Sequence, residues 1–236
     1  MLKVKLTQNK FNVSAICILL LLYACKQVTI STQYDGDYAH AETGRFWIYE
    51  VQEEQYSLSD SSISSTYFFK ETIGELLSTT QGSKTYKLTR YKKSRLSDNW
   101  RADSIWTMQQ WPDKLIRTEN NIAYVKLIFP VATTISWNQN EYNALPATLY
   151  QYTKVGKPYK IGTINYSNTA QVTDKKNDST AISLHRQLAI YAYQTGLIFK
   201  ETTDLAYCQS SSNCIGKGQI AYGYRQQWTL IESGKE

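Results

Sequence analysis

Apolar and polar residues alternate along most of the chain, which is the pattern of antiparallel strands with one face toward solvent. The first strong example is Gly44–Val51. A second, Ser83–Tyr91, places Tyr86, Leu88 and Arg90 on one face. The pattern therefore predicts a sheet of half-solvated antiparallel strands, not of buried parallel ones.

Further strands follow at short intervals, separated by residues that are typical of turns. Glu119-Asn120-Asn121 predicts a tight turn between Leu115–Thr118 and Ile122–Phe129. A helix is conceivable within Ala181–Tyr193, but its β-branched and aromatic residues favour a long strand. The other predicted strands are Thr66–Ile73, Trp100–Trp111, Leu149–Val155, Tyr159–Tyr166, Gln171–Thr173, Gln219–Gly223 and Arg225–Ile231. We predict an all-β fold: a single antiparallel, strongly curved sheet or half-barrel with long hairpins.

The N-terminus has a different pattern, in which Lys3, Lys5 and Lys10 precede an apolar run from about Val13 to Ala24. About ten apolar residues are too few to cross a bilayer core of about 30 Å as a helix, which takes about 20. A short apolar run behind a basic start indicates a signal peptide, here residues 1–24.

The apolar run ends in Leu22–Cys25 (Leu-Tyr-Ala-Cys), which resembles the lipobox of bacterial lipoproteins. The resemblance implies cleavage before Cys25 and attachment of lipid to its thiol. Residues 25–37 would then be the lipidated cysteine and tether, and residues 38–236 the all-β domain. Because no acidic residue follows the cysteine directly, the resemblance implies the outer membrane, at its periplasmic face. The alternative is an ordinary secretory signal in which Cys25 carries no lipid.

Charge and composition narrow the expected partners. Removal of residues 1–24 from the 236 would leave 212 and lower the formal net charge from +6 to +3, because that segment holds three lysines and no acid. Nucleic acid is therefore not expected as a partner. The 19 Tyr and 6 Trp residues suit a curved sheet with one partly exposed aromatic face.

Two polar segments could suggest binding sites. Asp35-Gly36-Asp37 lacks the further oxygen ligands of a calcium loop, so we expect a turn there. The dense basic segment Arg90–Arg95 could contact anionic lipid headgroups, but a solvated hairpin end is the preferred interpretation.

Cys208 and Cys214 remain in the mature chain besides the anchoring cysteine. They flank a short, Ser-rich loop, and an oxidising compartment favours a disulfide between them. The alternatives are two free thiols, a bond to a partner protein, or a metal site. A metal site would need more ligands, and neither His40 nor His185 is near in sequence.

Two distant segments carry a resemblance to a family. They are Gly44–Val51 (Gly-Arg-Phe-Trp-Ile-Tyr-Glu-Val) and Tyr191–Glu201 (Tyr-Ala-Tyr-Gln-Thr-Gly-Leu-Ile-Phe-Lys-Glu), with Leu127–Pro130 and Trp137-Asn138 between them. In this order they resemble uncharacterised Bacteroidetes-type lipoproteins. The resemblance covers most of the mature chain and implies a compartment and a fold, but no activity.

Catalytic chemistry is not predicted. The chain has two histidines, and the mature chain has no thiol outside the lipidated and paired cysteines, so Ser-His or Cys-His groups have few candidate members. No nucleophile elbow, phosphate-binding Gly loop or zinc-spaced His pair occurs. Glu53, Glu54 and Glu71 are candidate carboxylates, but Glu53 and Glu54 point to opposite faces of a strand. We therefore expect no enzyme activity, cofactor or metal.

These patterns predict a lipid-anchored envelope lipoprotein with a non-enzymatic binding or structural β-domain. The alternative is a carrier of lipid or another apolar ligand in a half-barrel cavity. An envelope hydrolase is a third, less supported interpretation. The expected partners are the membrane, through the anchor at Cys25, and an envelope protein or an apolar ligand.

Overall fold

The computed structural model describes residues 35–58, 62–80, 82–176 and 178–236, which form an all-β domain preceded by a short 3-10 helix, Asp35–Tyr38. The predicted signal peptide and Cys25 lie outside the described residues. The strands are β1 (Arg45–Ser57), β2 (Ile63–Thr80), β3 (Ser83–Lys93), β4 (Arg101–Gln110), β5 (Lys114–Glu119), β6 (Ile122–Ile128), β7 (Ser136–Asn138), β8 (Leu149–Ile161), β9 (Ile164–Asp174), β10 (Asp178–Ser179), β11 (Ser183–Ala192), β12 (Gly196–Tyr207) and β13 (Ile220–Lys235).

One antiparallel sheet contains these strands. Its order is β6-β5-β4-β3-β2-β1-β13-β12-β11-β9-β8-β7, and β10 pairs with β11 beside this path. The first and last long strands are neighbours, with Arg45 opposite Lys235 and Ser57 opposite Tyr222. This pairing joins an N-terminal set of meandering strands to a C-terminal set, so that β6 and β7 become the two edges.

The sheet curves until its two edges meet, which makes it a nearly closed barrel with a seam. The backbone amide of Val125 on β6 donates to the carbonyl of Gln139, just after β7, at 2.9 Å. The indole Nε1 of Trp137 donates to the Val125 carbonyl at 3.0 Å. The hydroxyl of Tyr152 donates to the carbonyl of Ile128 at 2.7 Å and accepts from its amide at 3.1 Å. At the seam, side chains therefore satisfy backbone N–H and C=O groups that strand pairing satisfies in the rest of the sheet.

The inner face of the barrel carries the apolar core. In β1 every second residue, Trp47, Tyr49 and Val51, is buried, as the period of two requires. Residues on the facing strands, such as Leu127 and Ile190, have no exposed surface. Burial of each such side chain stabilises the fold by about 1.5–3 kcal/mol.

The 3-10 helix packs against one end of the barrel. The carboxylate of Asp35 accepts a hydrogen bond from the amide of Val131 at 2.6 Å. The carboxylate of Asp37 accepts one from the Tyr193 hydroxyl at 2.8 Å. Tyr38 is 1% exposed and donates through its hydroxyl to Asn168 at 2.6 Å. This one turn of helix thereby connects the loops after β6 and β11 with strand β9.

The predicted fold class is confirmed, as is the strand over most of Ala181–Tyr193, which the structure has as β11. The turn at 119–121 is also confirmed, since Asn120 and Asn121 have φ of +51° and +64° between β5 and β6. The sequence interpretation of Tyr159–Tyr166 as one strand is wrong. The chain turns inside it at Gly162, where φ is +54°, and so makes a long β8–β9 hairpin.

Two further boundaries differ from the prediction. Gln219–Gly223 and Arg225–Ile231 are parts of one strand, β13, because the ladder with β1 continues through Gly223 and Tyr224. Residues 35–37, expected in the tether, belong to the folded domain, because Asp35 and Asp37 are bonded to it through their carboxylates. The expected turn at these residues is one turn of 3-10 helix.

Candidate functional site: a charged cavity inside the barrel

A cavity of about 310 Å³ lies inside the barrel. Its wall contains residues from most strands, and it combines charged groups with aromatic rings. Its charged side chains include Glu71, Arg90, Arg117, Glu119, Lys126 and Lys200. Trp106, Tyr150, Tyr191 and Trp228 supply aromatic rings. A volume of this size is in the lower range of ligand-binding pockets.

A buried network of ion pairs forms one side of the cavity wall. Arg117 on β5 donates two hydrogen bonds to Glu71 on β2, from Nη1 at 3.0 Å and from Nη2 at 2.8 Å. Glu71 is 1% exposed, so this bidentate pair supplies the partner that a buried carboxylate requires. Arg117 Nε also lies 3.0 Å from Glu119 Oε1, and Lys126 Nζ lies 3.2 Å from Glu119 Oε2. The four charges therefore form one chain of alternating sign.

The electrostatic environment keeps Glu119 and Arg117 ionised. Burial alone would raise the pKa of the Glu119 carboxyl, but the charges of Lys126 and Arg117 lower it to about 2. Burial opposes the charge of Arg117, and the carboxylates of Glu71 and Glu119 outweigh it and raise the guanidinium pKa. Glu119 and Arg117 thus stay charged at neutral pH without help from a ligand.

Arg90 is held between two aromatic rings. Its guanidinium carbon lies 4.2 Å from the centre of the Phe69 ring and 4.1 Å from that of Trp106. Nε donates to Asp103 at 2.6 Å. Stacking and ion pairing together fix the orientation of this guanidinium at the cavity wall.

Trp228 is oriented by a second polar network. Its indole Nε1 donates to Gln226 Oε1 at 2.6 Å, and the amide nitrogen of Gln226 donates to Glu53 Oε2, also at 2.6 Å. The hydroxyl of Tyr67 donates to the same carboxylate oxygen at 2.8 Å. The ring of Trp228 also packs on Phe69, with 5.0 Å between ring centres. The indole face turned to the cavity is therefore rigidly placed.

Lys200 lies among these groups on the inner face of β12, two residues after the fully buried Ile198. Its Nζ is 4.9 Å from the centre of the Trp228 ring. Burial lowers the pKa of Lys200 to about 8, and the positive charges of Lys126 and Arg117 act in the same direction, against Glu119 and Glu71. Within the described residues, its ammonium group makes no hydrogen bond or ion pair.

Tyr191, on the neighbouring strand β11, carries a second hydrogen-bond donor at the cavity wall. Tyr191 is 9% exposed and lines the cavity. Burial raises the pKa of its phenol, so the hydroxyl remains protonated and able to donate. In the described part of the chain this hydroxyl has no hydrogen-bond partner.

Apart from the two cysteines, the residues that the sequence singled out are not brought together. The Sγ atoms of Cys208 and Cys214 lie 2.17 Å apart, a disulfide distance, in a small cluster with Ala221 that is separate from the main core. Glu53 and Glu71 belong to the two different networks described above. His185 Nε2 lies 3.3 Å from Asp174 Oδ2.

Sequence reasoning missed Arg90 as a cavity residue and did not single out Arg117 or Lys200. The expected solvated hairpin end at Arg90–Arg95 is wrong for Arg90, because its guanidinium is enclosed between Phe69 and Trp106. A usable signal existed, since Arg90 shares a strand face with Tyr86 and Leu88. Lys200 likewise shares a strand face with the apolar Ile198.

Among the residues that the structure describes, no group of three or more His, Cys, Asp and Glu side chains is placed to hold a metal ion. In the same ranges, no helix is both long and apolar enough to span a membrane.

Comparisons with known proteins return distant structural similarity. No protein-family model matches the chain, and no curated protein matches it. The structure is similar to a "putative lipoprotein" of Parabacteroides distasonis ATCC 8503, at 8% identity and a TM-score of 0.40, covering 84% of this chain and 98% of that one. It is also similar to a "putative exported protein with YmcC-like fold" of Bacteroides fragilis NCTC 9343, at 5% identity and a TM-score of 0.46, covering 82% and 97%. At these scores neither similarity identifies a ligand or an activity.

Proposed function

We propose that this chain is a lipid-anchored lipoprotein of the bacterial envelope whose β-domain binds a small polar ligand in its interior cavity and catalyses no reaction. Cys25 would carry the lipid and hold the protein at the periplasmic face of the outer membrane. The membrane would then be one partner, and the ligand in the cavity the other.

The observation that carries this proposal is the charged wall of the cavity. Burying charges is costly, and an ion pair in a core often stabilises a fold no better than apolar side chains of the same volume. The main core cluster consists of apolar side chains, whereas the cavity keeps Glu71, Arg117, Glu119 and Lys126 in fixed positions. Fixed polar groups around an open volume are typical of a preorganised binding site.

The same wall disfavours the alternative of a carrier for lipid or another apolar ligand. An apolar molecule would remove water from charged groups without replacing its hydrogen bonds. Lys200 would lose most, since its ammonium has no acceptor among the described residues.

Ligand binding can be tested by recovering what the protein retains. Thr202, 7% exposed, lines the cavity, so Thr202→Phe should fill part of it. We expect a small polar molecule to be detected by mass spectrometry after gentle extraction of the wild-type protein and to be lost from Thr202→Phe. Thr79→Phe, at an exposed position of β2, is the matched control and should retain the molecule. Equal retention by all three proteins, or an exclusively lipid ligand, would contradict the proposal.

Anchoring can be tested independently with a pair of cysteine variants. Cys25→Ala should abolish palmitate labelling and release the protein from membranes or block its processing. Cys17→Ala, in the segment expected to be removed, should keep both the label and the membrane fraction. A Cys25→Ala protein that still takes up label and stays in the outer membrane would refute the lipobox interpretation.

A further inference from the structure

Most of the charged side chains around the cavity have an ionic partner. Arg117 is paired with Glu71 and Glu119, and Lys126 is paired with Glu119. Arg90 is paired with Asp103 outside the cavity. The acidic Asp174 is paired with His185. Glu201, which follows Lys200 directly on β12, also contributes to the cavity wall, but within the described residues it makes no ion pair with Lys200. Lys200 is therefore the one cation of this set that has no carboxylate partner within the described residues.

Lys200 and Tyr191 supply hydrogen-bond donors on two neighbouring strands. Residues 191 and 197 pair between β11 and β12, and Lys200 is three residues further along β12. An ammonium group donates and cannot accept, and a phenol hydroxyl that lines the cavity and has no acceptor among the described residues can donate to a ligand. A ligand that accepts hydrogen bonds from both groups would satisfy these donors, and a negatively charged ligand would give the Lys200 ammonium an ionic partner.

Carboxylate fits this pair better than phosphate does. Phosphate groups carry close to two charges near neutral pH and are usually bound by several donors, among them arginine forks. Both guanidinium groups here are already committed, Arg117 to Glu71 and Arg90 to Asp103. The aromatic side chains of the cavity wall, Trp106, Tyr150 and Trp228, suit a ring attached to the carboxylate.

We propose that the cavity binds a small cyclic monocarboxylate, whose carboxylate accepts hydrogen bonds from the Lys200 ammonium and the Tyr191 hydroxyl while its ring lies among the aromatic side chains of the wall. This inference rests on the proposed function and names the ligand class of the same cavity.

Matched pairs of probes separate charge from shape. Binding of benzoate and benzamide, and of cyclohexanecarboxylate and its amide, is measured by titration calorimetry at pH 7, with inorganic phosphate as a further probe. We expect each carboxylate to bind the wild-type protein at least about tenfold more tightly than its amide, as a charge-assisted hydrogen bond implies. Phosphate should bind more weakly than either carboxylate.

Variants then assign the effect to the two donors. Lys200→Met should remove the preference for carboxylate over amide, and Lys200→Arg should keep most of it. Tyr191→Phe should weaken carboxylate binding without changing amide binding. Lys160→Met, at an exposed position of β8, is the control and should bind as the wild type does. Circular dichroism checks folding, and if Lys200→Met does not fold, the probe pairs and Tyr191→Phe decide.

The results that would overturn this inference differ from those that would overturn the proposed function. Equal binding of carboxylate and amide, or unchanged carboxylate binding by Lys200→Met, would overturn the inference while leaving a ligand-binding cavity. Preferential binding of phosphate would overturn it too. No binding of any carboxylate would overturn it, and a neutral polar molecule retained by the wild type but lost from Thr202→Phe would then still support the proposed function.

Discussion

The indole ring of Trp47 lies directly against Gly196, so that a Cβ atom built on Gly196 would be 3.0 Å from Trp47 Nε1. The same Nε1 donates a hydrogen bond to the carbonyl of Thr195. Two residues along β1, the Tyr49 hydroxyl donates to the carbonyl of Leu197 at 3.0 Å. The two segments that carry the family resemblance thus pack together on the two sides of β13, although 148 residues separate Trp47 from Thr195.

Gly196→Ala should destabilise the domain by roughly 1–3 kcal/mol, because φ at Gly196 is +97° and the new methyl group would meet the Trp47 ring. Urea unfolding followed by tryptophan fluorescence measures the effect. Gly162→Ala is the control: φ is +54° there and nothing lies within 4 Å of an added Cβ, so this variant reports the backbone cost alone. Equal losses for both variants would show that the Trp47 contact is not tight.

Tyr152→Phe should weaken the seam of the barrel. Its hydroxyl bonds both the amide and the carbonyl of Ile128, and its removal leaves these backbone groups without that partner. We expect a loss of about 1–3 kcal/mol and faster hydrogen exchange at the Ile128 amide. The same deletion at Tyr222, which is 66% exposed, should change neither quantity. Unchanged exchange at Ile128 in Tyr152→Phe would mean that the seam is held by other contacts.

Arg117→Met should be one of the costliest single substitutions, since it leaves the buried Glu71 carboxylate without its bidentate partner. Removal of one member of such a pair costs about 3–5 kcal/mol. Glu71→Gln combined with Arg117→Met should recover part of the loss, because the orphaned charge is removed as well. Lys87→Met breaks the exposed Lys87–Glu75 pair and should cost at most about 1 kcal/mol. A small effect of Arg117→Met would indicate that water reaches Glu71.

Binding of a carboxylate to the cavity should depend on pH through Lys200. The pKa of Lys200 is about 8, so the group is charged below that pH and neutral above it. Affinity should therefore be constant near pH 6–7 and fall by up to about tenfold per pH unit above about 8. The charged and titratable groups facing it are Glu71 on β2, Arg117 and Glu119 on β5, Lys126 on β6 and Tyr191 on β11.

Lys200→Arg provides the control for this profile, because a guanidinium stays protonated through pH 10. Its carboxylate affinity should show no fall near pH 8. A wild-type affinity that is flat from pH 6 to pH 10 would contradict a role of the Lys200 charge in binding.

Alternation along each strand was sufficient to predict much of the local structure. Because successive side chains of a strand point to opposite faces, the sequence determined that Trp47 and Tyr49 share a face and that Arg90 shares one with Leu88. Asparagine tolerates positive φ, so Asn120 and Asn121 marked their turn. The same reasoning predicted an all-β fold and one curved antiparallel sheet.

Which strands are neighbours was decided by the tertiary structure alone. A period of two repeats in every strand and carries no information on strand order, so neither the pairing of β1 with β13 nor the seam between β6 and β7 could be predicted. The cavity depends on that order, since Arg117 meets Glu71 across 46 residues and Lys200 lies beside Trp228 on the adjacent strand. Charges on inner faces look like ordinary strand residues in the sequence, and the closing of the barrel is what places them together.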